Sequence, residues 1–287
     1  MKKFNYLILG NTGFIGRNLQ IFLRQKKQKV LGFGSKKINL LSLRESRKMK
    51  KFINKKTIIL YLSFNKNQSN ANFSDYEKNI KMLKNFFEIL KLSKPHKLIF
   101  FSSQTIYGEN TNNNNTTETT IPDPTSYYGI AKYACERLTK IFSVAHQIPL
   151  ITIRIPRVYG PGDDPANYGP TKFIDFYKKN KTLIIWGDGK EKRDYLYIND
   201  LNIIIMKLIN KNFSGLVNIC SGKSVSFIEI INNIKKITKT NFKFKHKRRT
   251  RPRVNHIMNN SYLKKVIGKY KFMRVEDGLK KLIYEKN

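Results

Sequence analysis

The chain reads as a doubly wound α/β protein, with a parallel sheet and a smaller domain interleaved with its C-terminal part. Three observations predict this. Short apolar runs without polar alternation recur at 6–9, 29–33, 57–62, 97–101, 150–155 and 216–220. Amphipathic stretches with helical spacing lie between them at 13–25, 76–92, 128–145 and 200–209. The first run passes directly into a glycine-spaced turn and then a helix. Strands that lack a polar face and alternate with helices belong to a sheet covered on both sides.

A length of 287 residues is enough for two domains at about 150 residues each. Beyond Gly160 the regularity loosens, with a Pro/Gly-rich loop at 159–170, a Trp-Gly-Asp-Gly turn at 186–189 and a basic segment at 243–253. The expected division puts 1–159 and 196–221 in a dinucleotide-binding domain and 160–195 with 222–287 in a substrate domain. The asparagine run 112–115 reads as a solvated loop.

Lysine and arginine number 56 against 19 acidic residues, a formal charge of +37. Two readings of that excess stand. One is a polyanionic partner, nucleic acid or an acidic membrane surface. The other is nucleotide bias in the coding sequence, favoured because 43 Lys, 30 Asn and 35 Ile rise together while Ala falls to 5. Aromatic content of 12% argues against disorder. The apolar run behind Lys2 and Lys3 is too short for a signal segment, and no stretch reaches the roughly 18 apolar residues of a membrane span. A cytoplasmic location is expected. Cys135 and Cys220 offer neither a disulfide framework nor metal-ligand spacing, so no metal is expected.

The first run leads into Gly10-Asn11-Thr12-Gly13-Phe14-Ile15-Gly16. Glycines at this spacing let the chain turn sharply, let backbone N–H groups approach a pyrophosphate, and let the helix pack close to the strand with its positive end toward the anion. Gly10, Thr12, Gly13, Phe14, Ile15 and Gly16 are therefore candidate cofactor contacts. After the second run an acidic residue would read the ribose of NAD. Ser35, Lys36 and Lys37 stand there instead, which leans toward the 2′-phosphate of NADP, unless they are merely two more lysines in a lysine-rich chain.

Tyr128 and Lys132 form a YxxxK pattern, on one face of a helix. A phenol of ordinary pKa about 10 is a poor base at neutral pH, and a neighbouring ammonium stabilises its phenolate. Such a phenol takes a proton from a hydroxyl or returns one. Ser103 ends the fourth run, where strand C-termini line the ligand crevice of such sheets.

The glycine loop, SSxxxYG at 102–108, YxxxK, RxxxVYGPG at 154–162 and RDYxYxxD at 193–200 occur in this order. In that order they resemble the extended short-chain dehydrogenase/reductases, specifically the NAD-dependent nucleotide-sugar epimerase/dehydratase family. The likeness runs from Leu9 to about Leu282 and implies a Rossmann-type sheet, NAD or NADP as cofactor, and Ser103, Tyr128 and Lys132 as the catalytic set. It also implies cofactor-side roles for Ser63 and Asn79, and places Glu118 in the loop before Tyr128 either in loop hydrogen bonding or in substrate contact. It implies an NDP-sugar substrate whose diphosphate meets Arg193 and one of Arg249 and Arg251, with a surface ion pair to Asp194 as the plainer role for Arg193. A homodimer through helices near 79–90 and 128–143 is expected.

Three positions depart from the family. Arg157 replaces the usual asparagine before Val-Tyr-Gly and stands as a candidate phosphate contact. Gln104 and Thr105 replace the Asp-Glu pair of the dehydratases, which argues against 4,6-dehydration. The acidic ribose reader is missing. Chemistry at one carbinol carbon remains, most often C4. The reading is an NAD(P)-dependent epimerase, with an NADPH-dependent 4-keto-6-deoxysugar reductase as the alternative and a non-catalytic NAD(P)- or nucleic-acid-binding module as a weaker one. No specific nucleic acid partner is expected, because Phe242 and Phe244 give the basic segment a strand-like alternation.

Overall fold

The computed structural model describes residues 4–65, 71–166, 169–250 and 252–284. In chain order its strands are β1 (Asn5–Leu9), β2 (Lys29–Phe33), β3 (Thr57–Tyr61), β4 (Lys97–Phe101), β5 (Asn113–Thr116), β6 (Leu150–Arg154), β7 (Arg157–Tyr159), β8 (Leu183–Trp186), β9 (Lys192–Tyr197), β10 (Gly215–Asn218), β11 (Ser224–Ser226), β12 (Phe244–Lys247) and β13 (His256–Met258). The helices are α1 (Phe14–Gln25), α2 (Leu43–Ser46), α3 (Phe73–Leu92), α4 (Tyr127–Ala145), α5 (Pro170–Lys178), α6 (Ile198–Asn210), α7 (Phe227–Thr238), α8 (Ser261–Ile267) and α9 (Val275–Tyr284). Each predicted apolar run holds a strand of the main sheet; 29–33 and 97–101 coincide with β2 and β4, and the other ends differ by one or two residues.

Two compact units form. The first comprises Met1–Glu109, Ile121–Arg154 and Asn212–Val217. Its sheet runs β10-β6-β4-β3-β1-β2, and β1, β2, β3, β4 and β6 pair in parallel. Every residue of β3 and β4 is buried, so both faces are covered. On one face, Leu83, Phe86 and Ile89 of α3 and Cys135 and Phe142 of α4 pack against Leu7, Ile59, Leu98 and Phe100. The capping box of Asn72 and Asp75 starts α3, and the Ser126 hydroxyl caps α4 by accepting from Gly129 N.

The second unit comprises Asn110–Thr120, Ile155–Lys211 and Asn218–Asn287. Its core gathers Tyr159, Phe173, Ile185, Tyr195, Phe227, Ile230, Ile231 and Leu279. The partition differs from the expected one, since 110–120, 155–159, 196–211 and 218–221 group with the second unit. The reading of 112–115 as a solvated loop is corrected: Asn113–Thr116 is strand β5, parallel to β13. The reason lies in amide pairing. Asn112 Oδ1 accepts from Asn255 N at 2.9 Å, Asn113 N donates to Asn255 O at 2.8 Å, and Asn259 Nδ2 donates to Asn115 Oδ1 at 2.9 Å.

A buried polar cluster ties α4 to the sheet. Arg154, the last residue of β6, donates through Nη2 to Glu136 Oε1 at 2.6 Å and through Nη1 to Tyr107 Oη at 2.8 Å, and Ser102 Oγ donates to Glu136 Oε2 at 2.5 Å. Burial alone would disfavour the charge on Arg154; the Glu136 carboxylate outweighs it and raises the guanidinium above its ordinary range. Glu136→Gln keeps the shape but leaves a buried cation without its counter-charge, which costs roughly 3–5 kcal/mol. Urea unfolding of the variant is expected to show that loss; a midpoint equal to wild type contradicts the assignment.

Candidate active site

The loop between β1 and α1 depends on missing side chains. Gly10 has φ +91°, and a Cβ there would lie 2.9 Å from Ser63 N. A side chain at Gly16 would run into the Gly10 carbonyl. Gly10, Ser63 and the end of β3 are thus brought together, with Leu62 N donating to Leu9 O at 2.9 Å. Gly13 caps α1 without a side-chain hydrogen bond, and the first turn carries no acidic residue. Phe14 and Ile15 open that turn and Thr12 lies against Gly34 at the end of β2. Uncapped donors at a positive helix end beside closely packed glycines fit the diphosphate of a dinucleotide. Ser35, Lys36 and Lys37 follow β2, all exposed.

Asn79 is 3% exposed. Its Oδ1 accepts from Asn65 N at 2.7 Å, and Asn65 Nδ2 donates to Asp75 Oδ1 at 2.7 Å. It therefore braces the chain that leaves β3 from the first turns of α3, a role consistent with cofactor-side support.

Tyr128 and Lys132 lie one turn apart on α4. Lys132 is buried, and its Nζ donates to Phe101 O at 3.0 Å, at the end of β4. The same ammonium stands 3.9 Å from the Phe64 ring centroid and 6.0 Å from that of Tyr128, and the Phe64 and Tyr128 rings meet edge to face at 5.4 Å. Ser103, two residues beyond Phe101, is 8% exposed and caps the 3-10 helix Gln104–Tyr107. Helix α4 and the end of β4 thus bring Ser103, Tyr128 and Lys132 into one unit.

Sequence reasoning missed Phe64 and the buried cluster of Ser102, Tyr107, Glu136 and Arg154. The signal was present: Glu136 follows Lys132 by one more helical turn, and Tyr107 and Arg154 fall inside the quoted motifs.

In the second unit, Arg157 opens β7 and pairs in register with Tyr195. Arg193 Nη1 donates to Lys192 O at 2.9 Å and also to Val254 O, while Nη2 stands 3.5 Å from Glu191 Oε1. Arg249 Nη1 donates to the same Glu191 oxygen at 2.9 Å, with its side chain folded over Gly187. Burial lowers the titration of Arg193; Glu191 opposes this, and the nearby charges of Arg157 and Arg249 add to it. Arg193 and Arg249 thus share the Glu191 carboxylate, with the charge of Arg157 close enough to act on Arg193, and guanidinium groups are the side chains that bind phosphate oxygens in a forked geometry. Arg251 lies outside the described residues. The Arg193–Asp194 ion pair does not form: Asp194 accepts from Ser221 N, Ser221 Oγ and Gly222 N at 2.9–3.1 Å, and burial pushes its carboxyl up to about 6. Glu118 accepts from Asn218 N at 2.7 Å, a loop role. Among the described residues no group of three His, Cys, Asp or Glu is placed to hold a metal, and no helix is long and apolar enough to cross a membrane.

The model of the NAD dependent epimerase/dehydratase family matches residues 6–220. A Bacillus subtilis protein named as an uncharacterized UDP-glucose epimerase is 26% identical over 260 residues, 81% of each chain. The dTDP-D-glucose 4,6-dehydratase of Dictyostelium discoideum is 28% identical over 271 residues, 79% of this chain but 61% of the relative's own length. The UDP-glucose 4-epimerase of Thermotoga maritima, solved with UDP-glucose, superposes with a TM-score of 0.83 at 24% identity over 97% of each chain. The Thermus thermophilus UDP-glucose 4-epimerase, solved with NAD, gives 0.83 at 19% identity, again over 97% of each. The structural likenesses establish the Rossmann-type fold; the family match, spanning more than half of the chain, establishes that this protein belongs to the NAD-dependent epimerase/dehydratase family of extended short-chain dehydrogenase/reductases.

Proposed function

We propose that this chain is an NAD(P)-dependent epimerase acting at a carbinol carbon, C4, of a nucleoside diphosphate sugar. The observation that carries the reading is Lys132, held by Phe101 O at the end of β4 with its ammonium beside the Tyr128 ring. A bound nicotinamide cofactor supplies the reversible hydride acceptor. The chain supplies the rest. Gly10, Thr12, Gly13, Phe14, Ile15 and Gly16 hold its diphosphate, and Ser63 and Asn79 brace its nicotinamide side. Lys132 favours the phenolate of Tyr128, so Tyr128 takes the hydroxyl proton of the sugar and later returns it. Ser103 hydrogen-bonds the same oxygen. Arg157, Arg193 and Arg249 take the sugar's diphosphate, a role extended to Arg251 by its place in the same basic segment. Gln104 and Thr105 offer no carboxylate for the loss of water, which speaks against dehydration.

One observation favours a second reading. Ser35, Lys36 and Lys37 are exposed at the end of β2 with no carboxylate among them, an arrangement suited to NADP and hence to a 4-keto-6-deoxysugar reductase that exchanges its cofactor.

The outer faces of α3 and α4 support a homodimer. Phe73, Tyr127, Ile130, Leu138, Ile141 and Val144 are exposed, Ile141 to 62% and Val144 to 71%, and Phe73 meets Tyr127 edge to face. An apolar stripe of this length on adjoining helices suits burial against a second copy.

Three outcomes are expected. Tyr128→Phe keeps cofactor affinity and lowers turnover of UDP-glucose, UDP-N-acetylglucosamine or dTDP-glucose about 10²- to 10⁴-fold; undiminished turnover removes Tyr128 from the mechanism. Mass spectrometry of the nucleotide that co-purifies finds NAD for the epimerase, whereas a site that is filled only by added NADPH marks the reductase. Light scattering gives twice the chain mass for the wild type and the single mass for Ile141→Glu; a monomeric wild type rejects the dimer.

A further inference from the structure

Ser103 is held in an unusual way by the residue two positions on. Its Oγ accepts a hydrogen bond from Thr105 N at 3.2 Å and a second from Thr105 Oγ1 at 3.0 Å. A serine hydroxyl has one proton and two lone pairs. With both lone pairs taken and the side chain 8% exposed, only the proton is left to offer, and among the described residues nothing receives it. Thr105 itself is firmly seated: its carbonyl accepts from Gly108 N at 3.1 Å, and a Cβ on Gly129, the residue after Tyr128, would come within 3.3 Å of that carbonyl. A threonine is also stiff at χ1, so its Oγ1 keeps its place beside Ser103 Oγ.

We propose that Thr105 is a positioning residue that makes Ser103 a one-way donor to the reacting oxygen of the sugar. The inference rests on the reading of Ser103 and Tyr128 given above and deepens it. An unrestrained hydroxyl rotates and accepts a hydrogen bond from the sugar hydroxyl as readily as it donates one, and the accepting pose competes with Tyr128 for the same proton. With both lone pairs occupied, Ser103 has no accepting pose. Tyr128 is then the only acceptor of the proton, and Ser103 stabilises the oxygen as negative charge grows on it. The close approach of the Thr105 carbonyl to Gly129 puts donor and base in neighbouring segments. The same hydroxyl explains why position 105 serves here without a carboxylate: an acidic side chain would draw the Ser103 proton toward itself and reverse the bond.

Thr105→Val removes the Oγ1 bond while leaving the backbone bond and the shape of the side chain. With the nucleotide sugar that the wild type turns over among UDP-glucose, UDP-N-acetylglucosamine and dTDP-glucose, kcat is expected to fall about tenfold with KM unchanged. Thr105→Ser restores kcat to within about twofold, since the hydroxyl returns. Crystal structures are expected to show one Ser103 rotamer, bonded to residue 105, in wild type and Thr105→Ser, and a turned or split Ser103 in Thr105→Val. A Thr105→Val enzyme with wild-type kcat, Val and Ser variants equally impaired, or an unchanged Ser103 rotamer in Thr105→Val each overturn the proposal. If the wild type turns over none of the three sugars, the epimerase reading fails on its own, and the Ser103 rotamers still decide whether Thr105 directs that hydroxyl.

Discussion

A carboxylate and a guanidinium, both nearly sealed from water, fasten α4 to the ends of β4 and β6. Glu136 reaches down from the helix, Arg154 reaches across from the last position of β6, and Ser102 and Tyr107 complete their hydrogen bonds. A buried ion pair gains little stability over an apolar pair of the same size, but it tolerates no misalignment, because either charge left alone is costly. The arrangement therefore works as a register pin. Lys132 sits one turn before Glu136 on the same helix, and its bond to Phe101 O repeats the anchoring on the adjacent residue of the β4 segment. Tyr128 and Ser103 take their places from these two ties.

The sheet was legible because its signal is continuous: runs with no polar alternation have only one stable setting, in the interior of a parallel sheet. β3 and β4, buried at every position, are the clearest cases. The candidate site on α4 was legible through the i, i+4 spacing of Tyr128 and Lys132, and the glycine loop through its place between a strand and a helix. β5 was not legible. Asparagine has low strand propensity, and what holds Asn113–Thr116 is pairing with Asn255 and Asn259, more than a hundred residues away in sequence. The unit boundary was displaced for a similar reason: β7 and β9 look regular locally, and only long-range packing reveals which core they join.

The arginines divide in the same manner. Motif position singled out Arg157 and Arg193 one at a time and left Arg249 and Arg251 as alternatives. The meeting of Arg193 and Arg249 at Glu191 is a tertiary fact, as is the turning away of Asp194, which directs its lone pairs to the Ser221 and Gly222 backbone rather than to its neighbour in sequence. Phe64 illustrates the limit of reading by residue type. An aromatic side chain after a buried strand reads as core, yet its face carries the ammonium of Lys132.

The asparagine strand bears on how this protein withstands its own composition. A chain rich in lysine and asparagine risks losing strands as apolar side chains are replaced. In β5, side-chain amides on two segments supply donors and acceptors to each other and to the backbone, so the pairing is held by amide matching where hydrophobic alternation is absent. Such a strand depends on both sides of the pairing at once, and a change on one side alone leaves the amides of the other without partners. Asn112, Asn114 and Asn115 with Asn255 and Asn259 are in that sense a single pairing unit, written in two distant stretches of the chain.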